Sequence, residues 1–231
     1  MIFPSLDRVK AIAPGYDIVP VYMEILSDVR TPISVLKALK QVSSHTYLLE
    51  SADNSNHWGR YSFLGYDPKI ELFCKNHKMT IKDGTTRTFE CSDPAAEIRN
   101  ILNQYKSPRL EELPTFTGGF VGYFACEYIR YIEPTLDFPT PDDDSAMVND
   151  VDLMLFDKVI AFDHYKNKIY LIANISTNDL ERNYNKAELE LKALADLVVN
   201  GKEADVPKGI LKTEFTSEFT KDEFDRKVRE N

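Results

Sequence analysis

Between residues 151 and 199 the sequence passes through two apolar runs and then a long amphipathic stretch, and few folds accommodate that succession. The runs at 151–162 and 168–175 are rich in branched and aromatic side chains, with His164, Tyr165, Lys166 and Asn167 between them. They are expected as a strand pair turning at 164–167. Next, Leu180, Tyr184, Ala187, Leu191, Leu194 and Val198 recur near a 3.6-residue period, which predicts a helix over 178–199 with one buried face. Asn200 and Gly201 end it.

The N-terminal part supplies the remaining elements. Ser5 is placed as the N-cap of a helix over 5–13, which Pro14 and Gly15 stop. A strand is expected over 17–26. Thr31 and Pro32 then open a helix whose inward face is Val35, Leu36, Leu39 and Val42. From residue 46 to 90 the texture is β, with strands at 47–49, 61–66, 69–74, 79–82 and 85–89. Asp83 and Gly84 give a two-residue hairpin signal between the last two. Asp93 and Pro94 start a helix over 93–105, with Ile98, Ile101 and Leu102 inward. The run Gly118-Gly119-Phe120-Val121-Gly122-Tyr123 reads as a strand in which glycine admits another backbone or a ligand at close range. Residues 125–131 fit a short helix, and 139–144 a solvated acidic loop rather than a metal site. Hairpins without a regular βαβ alternation predict mixed α/β of the α+β type, with largely antiparallel sheets.

Residues 201–218 are polar and read as a linker. Thr220 and Glu223 then match a capping box opening a helix with Phe224 and Val228 on one face. A helix launched after a linker and lacking a C-cap is expected to begin a further domain.

Charge and cysteine content exclude several function classes. The 231 residues carry a net charge of -9, which disfavours nucleic acid and anionic membrane as partners, since both need a basic face. No apolar run approaches the ~20 residues that span a bilayer, and the N-terminus carries Pro4 and Asp7 where an export signal would be apolar. Cys74, Cys91 and Cys126 are odd in number and show no CxxC spacing, as reduced thiols of a cytoplasmic protein would.

A self-sufficient catalytic set is not legible. His45, His57, His77 and His164 fall in no HxH or HExxH arrangement and read as surface or loop-end residues. Phosphate-cradling and nucleophile-elbow motifs are missing too. One stretch differs. Leu48-Leu49-Glu50-Ser51 puts a carboxylate and a hydroxyl at the end of an apolar strand, and Arg60 opens the next strand after a polar loop. If the strands pair, Glu50, Ser51 and Arg60 meet at one sheet edge. Either Glu50 and Arg60 form an ion pair closing the loop, the commoner outcome from spacing alone, or the trio receives an α-amino acid. In the second case Glu50 holds the ammonium, Ser51 hydrogen-bonds a polar group and Arg60 balances the carboxylate.

These residues also carry a resemblance. Leu48-Leu49-Glu50-Ser51 followed by Trp58-Gly59-Arg60-Tyr61-Ser62-Phe63-Leu64-Gly65 resembles the N-terminal hallmark of anthranilate synthase component I. Pro20-Val21-Tyr22 and Asp28-Val29-Arg30-Thr31-Pro32 upstream, and Gly118 to Tyr123 with Arg130-Tyr131-Ile132-Glu133 downstream, are similar to its neighbouring blocks. Phe224-Asp225-Arg226-Lys227-Val228 resembles the opening of its chorismate-utilising segment. The likeness covers nearly the whole chain. Where the family often has Tyr-Asp after the glycine-rich strand, this chain has Ala125-Cys126-Glu127-Tyr128, which is read as packing.

The resemblance implies two packed sheets, a sandwich with outer helices. It implies an N-terminal regulatory domain over 1–200, a linker over 201–218 and the start of a chorismate-utilising domain at 219–231. Such enzymes convert chorismate to anthranilate and pyruvate with Mg²⁺ and ammonia from a glutamine amidotransferase partner. The resemblance places the metal and the chemistry in a C-terminal half beyond these residues, so no catalytic residue is expected here. It makes Leu49, Glu50, Ser51 and Arg60 the candidate site for L-tryptophan as feedback inhibitor. Three rival readings are 4-amino-4-deoxychorismate synthase, a stand-alone amino-acid-binding module, and a structural domain in which Glu50 and Arg60 merely pair.

Overall fold

The apolar run at 151–162 does not stay in one sheet. Asp157 divides it into β8 (Val151–Phe156) and β9 (Lys158–Asp163), and the two halves pair with different partners. At this corner the Asp157 carbonyl accepts from the Asn174 backbone N–H at 2.8 Å and from Asn174 Nδ2 at 3.1 Å. Asn174 Nδ2 also reaches the Thr117 carbonyl at 2.7 Å, tying the corner to the approach of the glycine-rich strand. A strand that bends and changes sheet is a common way to join two sheets.

The computed structural model describes residues 1–28, 30–50, 59–133, 135, 148–204, 209–214, 216–217 and 219–230. Among them ten strands form two five-stranded sheets, antiparallel at every pairing. The first runs β1 (Ile18–Leu26), β10 (Lys168–Ser176), β9, β3 (Tyr61–Tyr66), β2 (Thr46–Leu49). The second runs β6 (Thr86–Glu90), β5 (Lys78–Lys82), β4 (Ile70–Lys75), β8, β7 (Gly119–Phe124). The chain passes between them twice, from β3 to β4 and from β8 to β9.

The first sheet is buried on both faces, which is why β9 and β10 read as near-continuous apolar runs. On one face Val21, Ile160 and Leu171 pack under α1 (Leu6–Ile12), α2 (Pro32–Leu39) and α5 (Leu180–Asn200). On the other, Tyr22, Ala161 and Tyr170 lie beneath Leu110 and Leu113. The second sheet has one such face. Burial alternates along β4, whose Ile70, Leu72 and Cys74 pack with Ile98 and Ile101 of α3 (Pro94–Leu102). Each fully buried Leu or Ile contributes about 2 kcal/mol. The mixed α/β, antiparallel expectation holds, and its layering is finer than a simple sandwich, because none of the three buried clusters combines strands of both sheets.

Local signals placed most helices well. Ser5 caps α1, Thr31 and Ser34 form a capping box on α2, and Asp93 caps α3. The predicted inward face of α5 is buried from Tyr184 to Val198. Two expected core residues are not: Val42 lies beyond the end of α2 and Leu102 closes α3 early, leaving them 56% and 42% exposed. The Asp83-Gly84 turn is a three-residue loop, since Lys82 pairs with Thr86. The tight two-residue hairpin lies instead at Asn76 and His77, both at positive φ (48° and 61°), between Lys75 and Lys78. Gly122 meets the close-approach expectation, because a Cβ there would sit 1.9 Å from the Asp152 carbonyl oxygen of β8. After β7, Cys126–Tyr128 form a 3₁₀ turn that leads into α4 (Ile129–Ile132). Cys126 and Glu127 are exposed, so the packing expected there falls to Tyr128 instead. Residues 139–144 lie outside the described residues. Among those described, no helix is long and apolar enough to cross a membrane.

Candidate functional site

β2 is the edge strand of the first sheet, and its last registered pair sets Leu49 opposite Phe63. Antiparallel pairing therefore brings the next residue, Glu50, alongside Ser62 of β3. The Ser62 hydroxyl donates to Glu50 Oε1 at 3.1 Å. On its other side Ser62 Oγ lies 2.7 Å from His164 Nε2, in the turn between β9 and β10. Glu50 and His164 are exposed, whereas Ser62 is buried. Leu49 is 48% exposed and, opposite Phe63, lies on the other face of the strand pair from Glu50 and Ser62.

Arg60 does not form the expected pair with Glu50. Its guanidinium makes a bidentate contact with Asp163, Nε to Oδ1 at 3.1 Å and Nη2 to Oδ2 at 2.7 Å. The plane also lies over the rings of Tyr61 and Tyr165, at 4.8 and 5.5 Å from their centroids. The physical reason is burial: Asp163 has no exposed surface, and a buried carboxylate needs a cation more than an exposed one does. Two backbone amides, Tyr165 N at 3.1 Å and Lys166 N at 3.0 Å, complete its shell. Burial pushes the Asp163 carboxyl up. The hydrogen bonds from Arg60 and the two amides, with the charge of Arg60, outweigh that and hold it below its ordinary value. The same contact raises Arg60.

The structure thus brings Leu49, Glu50 and Arg60 to one end of the first sheet. Ser51 lies outside the described residues. Ser62, Asp163 and His164 belong to the same constellation; His164 was expected only as a surface or loop-end residue, and Ser62 and Asp163 were not expected to serve the site. A lone serine inside the apolar run of β3, and Asp-His closing the apolar run of β9, were the available signals. No group of three or more His, Cys, Asp or Glu able to hold a metal occurs among the described residues.

A family model described as chorismate binding enzyme matches residues 45–231, from the start of β2 through the last helix. The chain belongs to the chorismate binding enzyme family. Its likeness to individual proteins spans the N-terminal elements as well. This chorismate binding family member is 34% identical to anthranilate synthase component 1 of Acetivibrio thermocellus over 238 residues, 99% of this chain and 47% of that protein. It is 38% identical to anthranilate synthase component 1 of Acinetobacter calcoaceticus over 189 residues, 80% of this chain and 37% of that one. The solved anthranilate synthase component I of Streptococcus pneumoniae TIGR4 aligns with 73% of this chain and 36% of its own, with TM-score 0.43 and 26% identity. The chain spans less than half the length of these relatives.

Proposed function

We propose that this chain is the N-terminal, tryptophan-sensing region of an anthranilate synthase component I, which converts chorismate and ammonia to anthranilate and pyruvate. The observation that carries the reading is the Glu50 carboxylate, held by Ser62 at an open sheet end, next in the chain to exposed Leu49, within a chain similar to anthranilate synthase components along its length. An α-amino acid presents an ammonium, a carboxylate and a side chain. Glu50 receives the ammonium, Leu49 forms an apolar wall for the indole, and Ser51 hydrogen-bonds a polar group of L-tryptophan. Arg60 serves the site through Asp163, fixing the turn that carries His164.

In this reading residues 1–200 form the regulatory domain, 201–218 a linker and 219–231 the start of the chorismate-utilising domain. Arg30 supports the first boundary by holding the end of α5, with Nη2 on the Gly201 carbonyl at 2.7 Å and Nε on that of Val199 at 3.2 Å. α6 (Lys221–Glu230) supports the second, since Thr220 and Glu223 close its capping box. Chorismate and Mg²⁺ belong to the C-terminal half, and ammonia to a glutamine amidotransferase partner. The described residues supply no ligand set for the metal. We place the protein in the cytoplasm, apart from membrane and nucleic acid, in keeping with its acidic charge and its free cysteines. An inhibitor bound between two halves biases how they pack, and so couples to a distant active site.

The test compares the full gene product with the 231-residue chain, each given chorismate, Mg²⁺ and ammonium while anthranilate fluorescence is followed. The expected result is anthranilate from the full product only, suppressed by L-tryptophan and desensitised by Ser51→Ala. Formation of 4-amino-4-deoxychorismate instead would move the protein to the folate branch. Absence of chorismate turnover would leave a binding or structural module.

A further inference from the structure

We infer that Ser62 and His164 are positioning residues for Glu50, orienting the carboxylate that receives the ammonium of the effector; this rests on the tryptophan-site reading above. Ser62 is 3% exposed within a strand of apolar neighbours, where an unpaired hydroxyl is costly. It has one proton, and a carboxylate only accepts, so that proton goes to Glu50 Oε1. The nitrogen 2.7 Å away must then be the donor, which places a proton on His164 Nε2. The line therefore has one direction: His164 Nε2–H to Ser62 Oγ, and Ser62 O–H to Glu50 Oε1.

Each upstream member is itself held. The His164 backbone N–H donates to the Arg60 carbonyl at 2.9 Å, and the His164 ring stacks on Phe162 at 6.4 Å between centroids. Asp163 fixes the turn that follows, through Arg60 and the amides of Tyr165 and Lys166. Glu50, by contrast, sits beyond the last registered pair of an edge strand. A free Glu side chain there would lose rotamer freedom on engaging a ligand. The hydroxyl takes one lone pair of Oε1 and leaves Oε2 for the incoming ammonium, so the carboxylate is set before binding.

The experiment measures the L-tryptophan concentration that halves anthranilate formation by the full gene product, alongside direct binding of L-tryptophan and of indole-3-propionate, which lacks the ammonium. Ser62→Ala and His164→Ala are expected to weaken L-tryptophan by about tenfold. His164→Gln, which keeps an N–H donor on an exposed side chain, should recover part of that loss. In a Glu50→Gln background the Ser62 and His164 changes should add nothing, because they act through the carboxylate. Binding of indole-3-propionate should not change in any variant. Undiminished L-tryptophan sensitivity in Ser62→Ala and His164→Ala would overturn the inference. So would a loss that persists beside Glu50→Gln, or one shared by indole-3-propionate, since either marks a merely structural role. A wild-type protein indifferent to L-tryptophan, or one unaffected by Glu50→Gln, would instead remove the site reading and this inference with it.

Discussion

With no exposed surface, the Asp163 carboxylate accepts four hydrogen bonds, two from Arg60 and two from backbone amides. Removing it strands a guanidinium and two amides, so Asp163→Ala is expected to cost about 3 kcal/mol, read as a lower urea midpoint. Its acid dependence has a definite sign. The folded-state value is depressed, so the contribution is present above the unfolded carboxylate value and is lost as pH falls through the folded one. Wild type should therefore lose more stability than Asp163→Ala as pH drops below about 4. Equal slopes for the two proteins would contradict this. At this scale the sequence revealed Glu50 and Arg60 but not that Arg60 pairs with Asp163 and Glu50 with Ser62. Asp163 stands 103 residues from Arg60 and His164 stands 102 from Ser62, and spacing along a chain carries no information about contacts that distant.

Helix starts were legible because their chemistry is local. A capping hydroxyl followed by proline marks a helix start within four residues, and α2 begins where Thr31 and Pro32 require. Strand β3 spans the predicted residues, 61–66. The break at Asp157 was missed although Asp157 and Lys158 interrupt the apolar run, because two charges do not say that the halves on either side join different sheets. Gly122 gives the sharpest test of strand pairing. Its Cα faces the Asp152 carbonyl across the β7–β8 ladder, and any side chain must separate the two strands. Gly122→Ala is expected to lower stability by about 2 kcal/mol or more, seen as a reduced melting temperature. An unchanged melting temperature would mean that β7 does not lie against β8 as described.

For the whole molecule, antiparallel α/β class followed from the hairpins and the single long helix, while the division into separate cores did not, because binary pattern says which residues are buried and not against what. The second sheet ends on β7, an edge strand carrying exposed Tyr123 and Phe124, and α4 adds exposed Ile129 and Ile132. Phe224 and Val228 of α6 are 58% and 62% exposed despite their apolar spacing. A chain with such surfaces and under half the length of its relatives should self-associate. Light scattering of the 231-residue chain is expected to give a mass rising with concentration, and a clean monomer at high concentration would count against it.

Calorimetric titration of L-tryptophan into the full gene product tests whether Glu50 receives the ammonium of this ligand. One charge-assisted hydrogen bond contributes about 1.5–3 kcal/mol, so Glu50→Gln should weaken binding by about tenfold to a hundredfold. The same affinity in both proteins, or no binding to a wild-type protein that makes anthranilate, would show that Glu50 does not play this part.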